Sequence, residues 1–138
     1  MEYFARIRKV KGEHFVYFPD MPNVLTYGFT HEHALEMAEE ALNAVLEVDF
    51  ARGFVLPSAT NYAGKRAYFP ISVLPHIALA YELKALRKKE TQVGIAKKLG
   101  ISYQAYQKLE NPRKCNPTVK TLEKIGVALG KRLVVGFR

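Results

Sequence analysis

Residues 97–110, KKLGISYQAYQKLE, decide how the second half of the chain is read. Two short helices can cross steeply only with a small residue where they touch and a turn that tolerates positive φ. Ala96 and Gly100 meet those two needs. Ile95, Leu99, Ile101, Tyr106 and Leu109 fall where an inner apolar face requires them. Ser102 caps the second helix, and its outward positions are then Tyr103, Gln104, Gln107 and Lys108. Gln bonds adenine bidentately, Lys reaches guanine, and aromatic edges meet thymine methyls or sugars. These spacings predict a helix-turn-helix that reads duplex DNA; a plain helical hairpin with a polar surface is the weaker alternative.

Charge divides the chain in the same place. Residues 1–75 carry seven Lys/Arg against nine Asp/Glu, a net −2, whereas residues 76–138 carry fourteen against four, a net +10. The basic half has the electrostatic footprint of a phosphate binder. Composition is that of an ordinary globular protein, with 49% hydrophobic and 25% charged residues. The single cysteine, Cys115, excludes an internal disulfide and fits a reducing compartment, with a solvated or half-buried thiol expected. The N-terminus alternates like a strand rather than a signal peptide, and no apolar run nears the ~18 residues of a spanning helix. A cytoplasmic protein without a membrane partner is expected.

Ahead of the basic half, period-2 alternation predicts strands over 3–10 and 14–18 joined by a tight turn at Lys11–Glu13. Two prolines break PDMPN (19–23), and a third strand is expected over 24–28. Thr30 caps a helix whose apolar stripe is Ala34, Leu35, Ala38, Leu42, Val45, Leu46 and Phe50, stopped by Gly53. Its solvent face is read as Glu32, Glu36, Glu39, Glu40, Asn43 and Glu47. A loop over 56–65 precedes a fourth strand at 66–71. Pro75 opens a new helix, and Thr91, Ser102 and Thr118 cap three more. RLVVGF (132–137) returns to strand composition. The expected class is α+β. A β-β-β-α-β domain over 1–72 is followed by an all-α helix-turn-helix domain over 73–138 with a C-terminal strand.

Residues 91–130 resemble the phage-repressor helix-turn-helix domains through Thr-Gln, Ala-x-x-x-Leu-Gly-Ile-Ser, Leu-Glu, Asn-Pro and Leu-x-x-Ile-x-x-Ala-Leu-Gly. The resemblance implies that Gln92 contacts phosphate and braces the recognition helix. It assigns base reading to Tyr103 and Gln104, with a later contact at Lys108. Gly94 stands where that family places a capping-box Glu, and Tyr106 where it places Val or Ile. Arg113 and Lys114, in the loop NPRKCNP, are expected at phosphates.

The first half, HFVYFPDMPNVLTYGFTHEHALEMAEEALNAVLE (14–47), is similar to the N-terminal domain of HicB antitoxins, with an aromatic strand, F-P-D-x-P, a Thr and an Ala/Glu/Leu helix. Asn23 and Val24 replace the usual Gly-Cys. That likeness implies a partial RNase H-like fold, a HicA-like toxin partner (a small basic RNase) and self-repression at a palindromic operator by a homo-oligomer, dimer or tetramer. An RNase toxin presents cationic surface to RNA, so the stripe Glu36, Glu40, Glu47 is the candidate toxin contact.

Nuclease chemistry needs carboxylates converging on metal ions, but strand one offers Arg6 and Arg8, and Asp20 sits between prolines as a turn former. His31 and His33, two apart at a helix start, make a poor metal pair. No phosphate loop and no Ser/His/Asp arrangement is visible, so no catalytic residue, metal or cofactor is expected. Two alternatives stay open: a stand-alone repressor whose first half dimerises or senses a ligand, and a degenerate nuclease or RNA-binding protein.

Overall fold

Alternation in β1 (Glu2–Val10) sends Tyr3, Ala5 and Ile7 inward, and β2 (Glu13–Phe18) answers with Val16 and Phe18. Residues 1–137 are described in a computed structural model, and two compact units, Met1–Ala78 and Leu79–Arg138, divide the chain. Lys11 and Gly12 both take positive φ, the signature of the primed two-residue turn that matches strand twist in a hairpin. β3 (Met21–Gly28) and β4 (Tyr68–Ser72) complete an antiparallel sheet of order β3-β2-β1-β4. β3 starts at Met21, earlier than the prolines suggest. Pro22 is tolerated because β3 is an edge strand, and the register slips there, Tyr17 facing Leu25 while Phe18 faces Met21.

α1 (His31–Ala51) lies on the inner face, burying Ala34, Ala38, Leu42 and Leu46. Thr30 caps it by accepting the His33 N–H at 3.0 Å. Gly28 lets β3 run directly under the helix start, since a Cβ there would lie 2.4 Å from the Ala34 nitrogen. The loop before β4 is pinned by side chains. The Asp20 carboxylate accepts the Thr60 N–H and hydroxyl, both at 2.7 Å, and Tyr3 donates its hydroxyl to the Pro57 carbonyl at 2.8 Å.

Asn43 corrects the sequence reading. It is buried rather than part of the solvent face. Its amide donates to the Glu39 and Ser72 carbonyls at 2.9 and 3.1 Å, and its oxygen accepts the Leu74 N–H at 2.8 Å. The end of β4 passes this side of α1 with unpaired backbone groups, and a buried polar side chain is stable where it satisfies them.

α2 (Pro75–Arg87) runs across the boundary between the units and leads to α3 (Gln92–Leu99), α4 (Tyr103–Leu109) and α5 (Val119–Ala128). Thr91, Ser102 and Thr118 each accept the backbone N–H three residues on, so the cap at α3 stands although Gly94 supplies no reciprocal Glu. Gly100 turns the chain at φ 67°. The core is Leu83, Ile95, Ala96, Tyr106, Leu109 and Ile125. Beside it, Arg87 grips Glu110 with two hydrogen bonds, Nε to Oε2 at 2.7 Å and Nη2 to Oε1 at 3.0 Å, and donates Nη1 to the Glu90 carbonyl at 2.6 Å. The Glu110 side chain is 1% exposed.

The expected C-terminal strand does not form: residues 131–137 lack regular structure and leave Val134, Val135 and Phe137 exposed. A strand needs an edge to pair with, and the unit around it is helical. The tail leaves α5 across Gly126, where Lys131 donates its N–H to the Gly126 carbonyl at 2.7 Å and a Cβ would lie 2.9 Å from the Lys131 oxygen.

Two stability outcomes follow from these contacts. Asn43→Ala strands the Leu74 N–H and removes a donor from Ser72, costing about 1–3 kcal/mol, whereas Glu40→Ala changes stability by less than about 0.5 kcal/mol; urea midpoints compare them. Glu110→Ala leaves a half-buried Arg87 without its carboxylate and costs about 3–5 kcal/mol, whereas Arg87→Met with Glu110→Leu recovers most of it. Equal losses for the single and double variants in urea unfolding would contradict the pairing.

Candidate nucleic-acid interface and acidic helix face

α4 is seven residues long, and only Tyr106 and Leu109 of it are buried. Everything else on it faces water. Tyr103, Gln104, Gln107 and Lys108 are all exposed, and Gln107 donates to the Tyr103 hydroxyl at 2.9 Å. Tyr103/Gln107 and Gln104/Lys108 form adjacent rows, each with i,i+4 spacing. A helix of this width presented by its polar side suits a major groove, where Gln and Lys meet base edges. Ser102 spends its hydroxyl on the Ala105 N–H at 3.1 Å and so starts the helix. Gln92 is the first residue of α3 and half-exposed, placed at the positive end of that helix.

The loop after α4 is built on Asn111, whose side-chain oxygen accepts the Arg113 N–H at 3.0 Å and whose carbonyl accepts those of Lys114 and Cys115. Pro112 and Cys115 point inward, and the Arg113 and Lys114 side chains point outward. Cys115 is thus buried rather than solvated, and burial pushes its thiol pKa up, away from reactivity. Tyr106 fills an aliphatic position. Its ring is fully buried, and its hydroxyl lies by Arg87 and Glu110 without a hydrogen bond of standard geometry. Burial first, then the Glu110 carboxylate, hold its pKa well above the ordinary tyrosine value, so it stays neutral.

In the first unit the acidic stripe is partly as expected. Glu36 and Glu40 are exposed on α1, Glu47 is half-buried, and Asn43 between them is withdrawn into the core. His33 accepts the Phe29 N–H at its Nδ1, 3.1 Å away, and His31 packs edge-on to Phe69, so both histidines have structural contacts. Among the described residues no three His, Cys, Asp or Glu side chains are grouped to hold a metal ion, and no helix is long and apolar enough to cross a membrane.

One surface escaped the sequence reading. The sheet face opposite α1 displays Phe15, Leu25 and Tyr27, all exposed, with Tyr17, Tyr68 and Arg6 half-buried between them. Its signal was present in the alternation, since every outward position of 4, 6, 8, 15 and 17 is aromatic or Arg.

Comparison with known proteins covers both units. A helix-turn-helix family pattern matches residues 83–135. Antitoxin HicB 1 of Photorhabdus laumondii is 30% identical over 138 residues, spanning 99% of this chain and 87% of its own. Antitoxin HicB 2 of the same organism is 29% identical over 118 residues, spanning 86% and 83%. The crystal structure of the N-terminal domain of Burkholderia pseudomallei antitoxin HicB superposes with a TM-score of 0.47 at 24% identity, over 54% of this chain and 99% of that one. With a relative this similar along nearly its whole length and a DNA-binding unit where the repressor-like residues predicted one, the chain belongs to the HicB antitoxin family.

Proposed function

We propose that this chain is the antitoxin of a toxin–antitoxin pair, binding and neutralising a small basic RNase of the HicA type and repressing the operon that encodes both. One observation carries the reading: an exposed polar helix, held by the Arg87–Glu110 ion pair, belongs to a chain that aligns over 99% of its length with an antitoxin. Base recognition falls to Tyr103, Gln104, Gln107 and Lys108, helix bracing at phosphate to Gln92, with Ser102 capping the recognition helix, and further phosphate contact to Arg113 and Lys114. One seven-residue helix reaches too few base pairs for useful specificity, so two copies occupy a palindromic operator. The exposed Val134, Val135 and Phe137 support pairing of two tails, because apolar side chains left in water gain by burial against a twin. The toxin contact is assigned to α1, where Glu36 and Glu40 are exposed and Glu47 extends the stripe.

Gel shifts over a salt series test the DNA face. Gln104→Ala weakens operator binding by about 1–3 kcal/mol while sparing random DNA. Lys114→Ala weakens both alike and lowers the salt slope by about one counterion. Equal losses on all sequences for Gln104→Ala would remove it from base reading. For the toxin face, Glu36→Lys with Glu40→Lys slows association with a HicA-type toxin, most clearly at low salt, and leaves operator binding intact. Stopped-flow rates that match wild type at two ionic strengths would move neutralisation to another surface.

A further inference from the structure

The open face of the sheet has no assigned task, and its chemistry differs from that of α1 on the other side. Strand register fixes two rows across it, Tyr27–Phe15–Arg8 and Leu25–Tyr17–Arg6–Tyr68. Phe15 and Tyr27 are ring neighbours at 6.1 Å, and Tyr62 from the preceding loop stacks on Tyr68 at 4.4 Å, 5° from parallel. Arg6 lies within this frame, its guanidinium 5.7 Å from the Tyr68 ring centre and donating to the Tyr17 hydroxyl at 3.1 Å. Its Nε is buried without an acceptor, and among the described residues no carboxylate pairs with Arg6 or Arg8. Lys65 sits over the Tyr62 ring at 5.3 Å. Glu2 and Glu13, paired with Ser72 and Val10 at the ends of β1 and β2, lie outside both rows.

Exposed aromatic rings offer flat stacking surfaces, and guanidinium groups beside them without a carboxylate partner call for an anion. A ligand that carries both complements at a short repeat is a single-stranded nucleic acid. Four strands span about 14 Å, enough for the two or three bases that a four-stranded sheet stacks in known recognition modes. A cationic protein fits poorly here, since the middle of this face bears Arg6 and Arg8, while exposed glutamates Glu36, Glu39 and Glu40 lie on α1. In cells the strand with unstacked, accessible bases is RNA, DNA being held in duplex. We infer that the outer face of β3-β2-β1-β4 binds single-stranded RNA, with the exposed rings of Phe15 and Tyr27 as base platforms and Arg6 and Arg8, flanked by the Tyr62–Tyr68 stack, as phosphate contacts. This activity is independent of the DNA-reading unit.

The test uses the full chain with a short fluorescein-labelled oligouridine, in excess unlabelled duplex DNA that occupies the basic unit. Anisotropy is expected to give saturable binding. Phe15→Leu with Tyr27→Leu, which keeps an apolar surface and removes the rings, weakens it about tenfold. Arg6→Gln weakens it several-fold and flattens the salt dependence. Ultraviolet crosslinking of the unaltered chain, mapped by peptide mass spectrometry, places uridine on peptides from residues 1–72. Crosslinks confined to residues 79–137, or a Leu/Leu variant that binds as wild type, overturn the inference. So does a HicA-type toxin whose binding Leu25→Arg abolishes while RNA binding is unchanged, because the face would then belong to a protein.

Discussion

Arg87 and Glu110 are where the second unit commits to one arrangement. The pair joins the last residue of α2 to the C-cap of α4, and the spare nitrogen of Arg87 holds the Glu90 carbonyl in the link to α3. Three segments are thus tied at one planar fork, which a Lys could not reproduce because it lacks paired donors in fixed geometry. Net stability is not the reason to bury such a pair, since desolvation cancels most of the attraction. Its effect is orientation: α4 has few turns to define its own rotation about its axis, and a bidentate clamp at its end fixes which residues meet solvent. The polar rows of Tyr103, Gln104, Gln107 and Lys108 depend on that choice.

Tyr106 shows how the core adapts to the clamp. An aliphatic residue there would leave a space beside the ion pair; the larger ring fills it, leaving a neutral hydroxyl near Glu110 and Arg87. Pro112 and Cys115 are buried, so the loop that carries Arg113 and Lys114 is anchored from its inner side. Phosphate-contacting side chains on a braced loop lose less conformational freedom on binding than those on a loose one.

The first unit separates its charges by layer. α1 carries exposed glutamates on its outer side, and the opposite surface of the sheet carries arginines among aromatic rings. The two sets of charges sit on opposite surfaces, and salt screens exposed charges from one another over about 8 Å at physiological ionic strength.

Short-range patterns determined a large part of this protein. Period-2 alternation in 2–10, Thr and Ser before apolar runs, and Gly100 at a left-handed turn fixed the elements, because each rests on backbone preferences within a few residues. The outward face of α4 was legible for the same reason: once Tyr106 and Leu109 point in, helical geometry leaves no other place for Gln104 and Lys108. What lay beyond sequence was set by residues far away along the chain. Asn43 reads as one more polar position beside glutamates, and only β4, 29 residues on, turns it inward to meet Ser72 and Leu74. Arg87 and Glu110, 23 residues apart, read as ordinary surface charges until two helix ends bring them together. RLVVGF has strand composition, yet composition cannot supply the partner edge a strand requires. The placing of Arg6 between Tyr17 and Tyr68 likewise needed strand order and register, since hydrogen-bonded neighbours in a sheet, rather than neighbours in sequence, decide which side chains share a face.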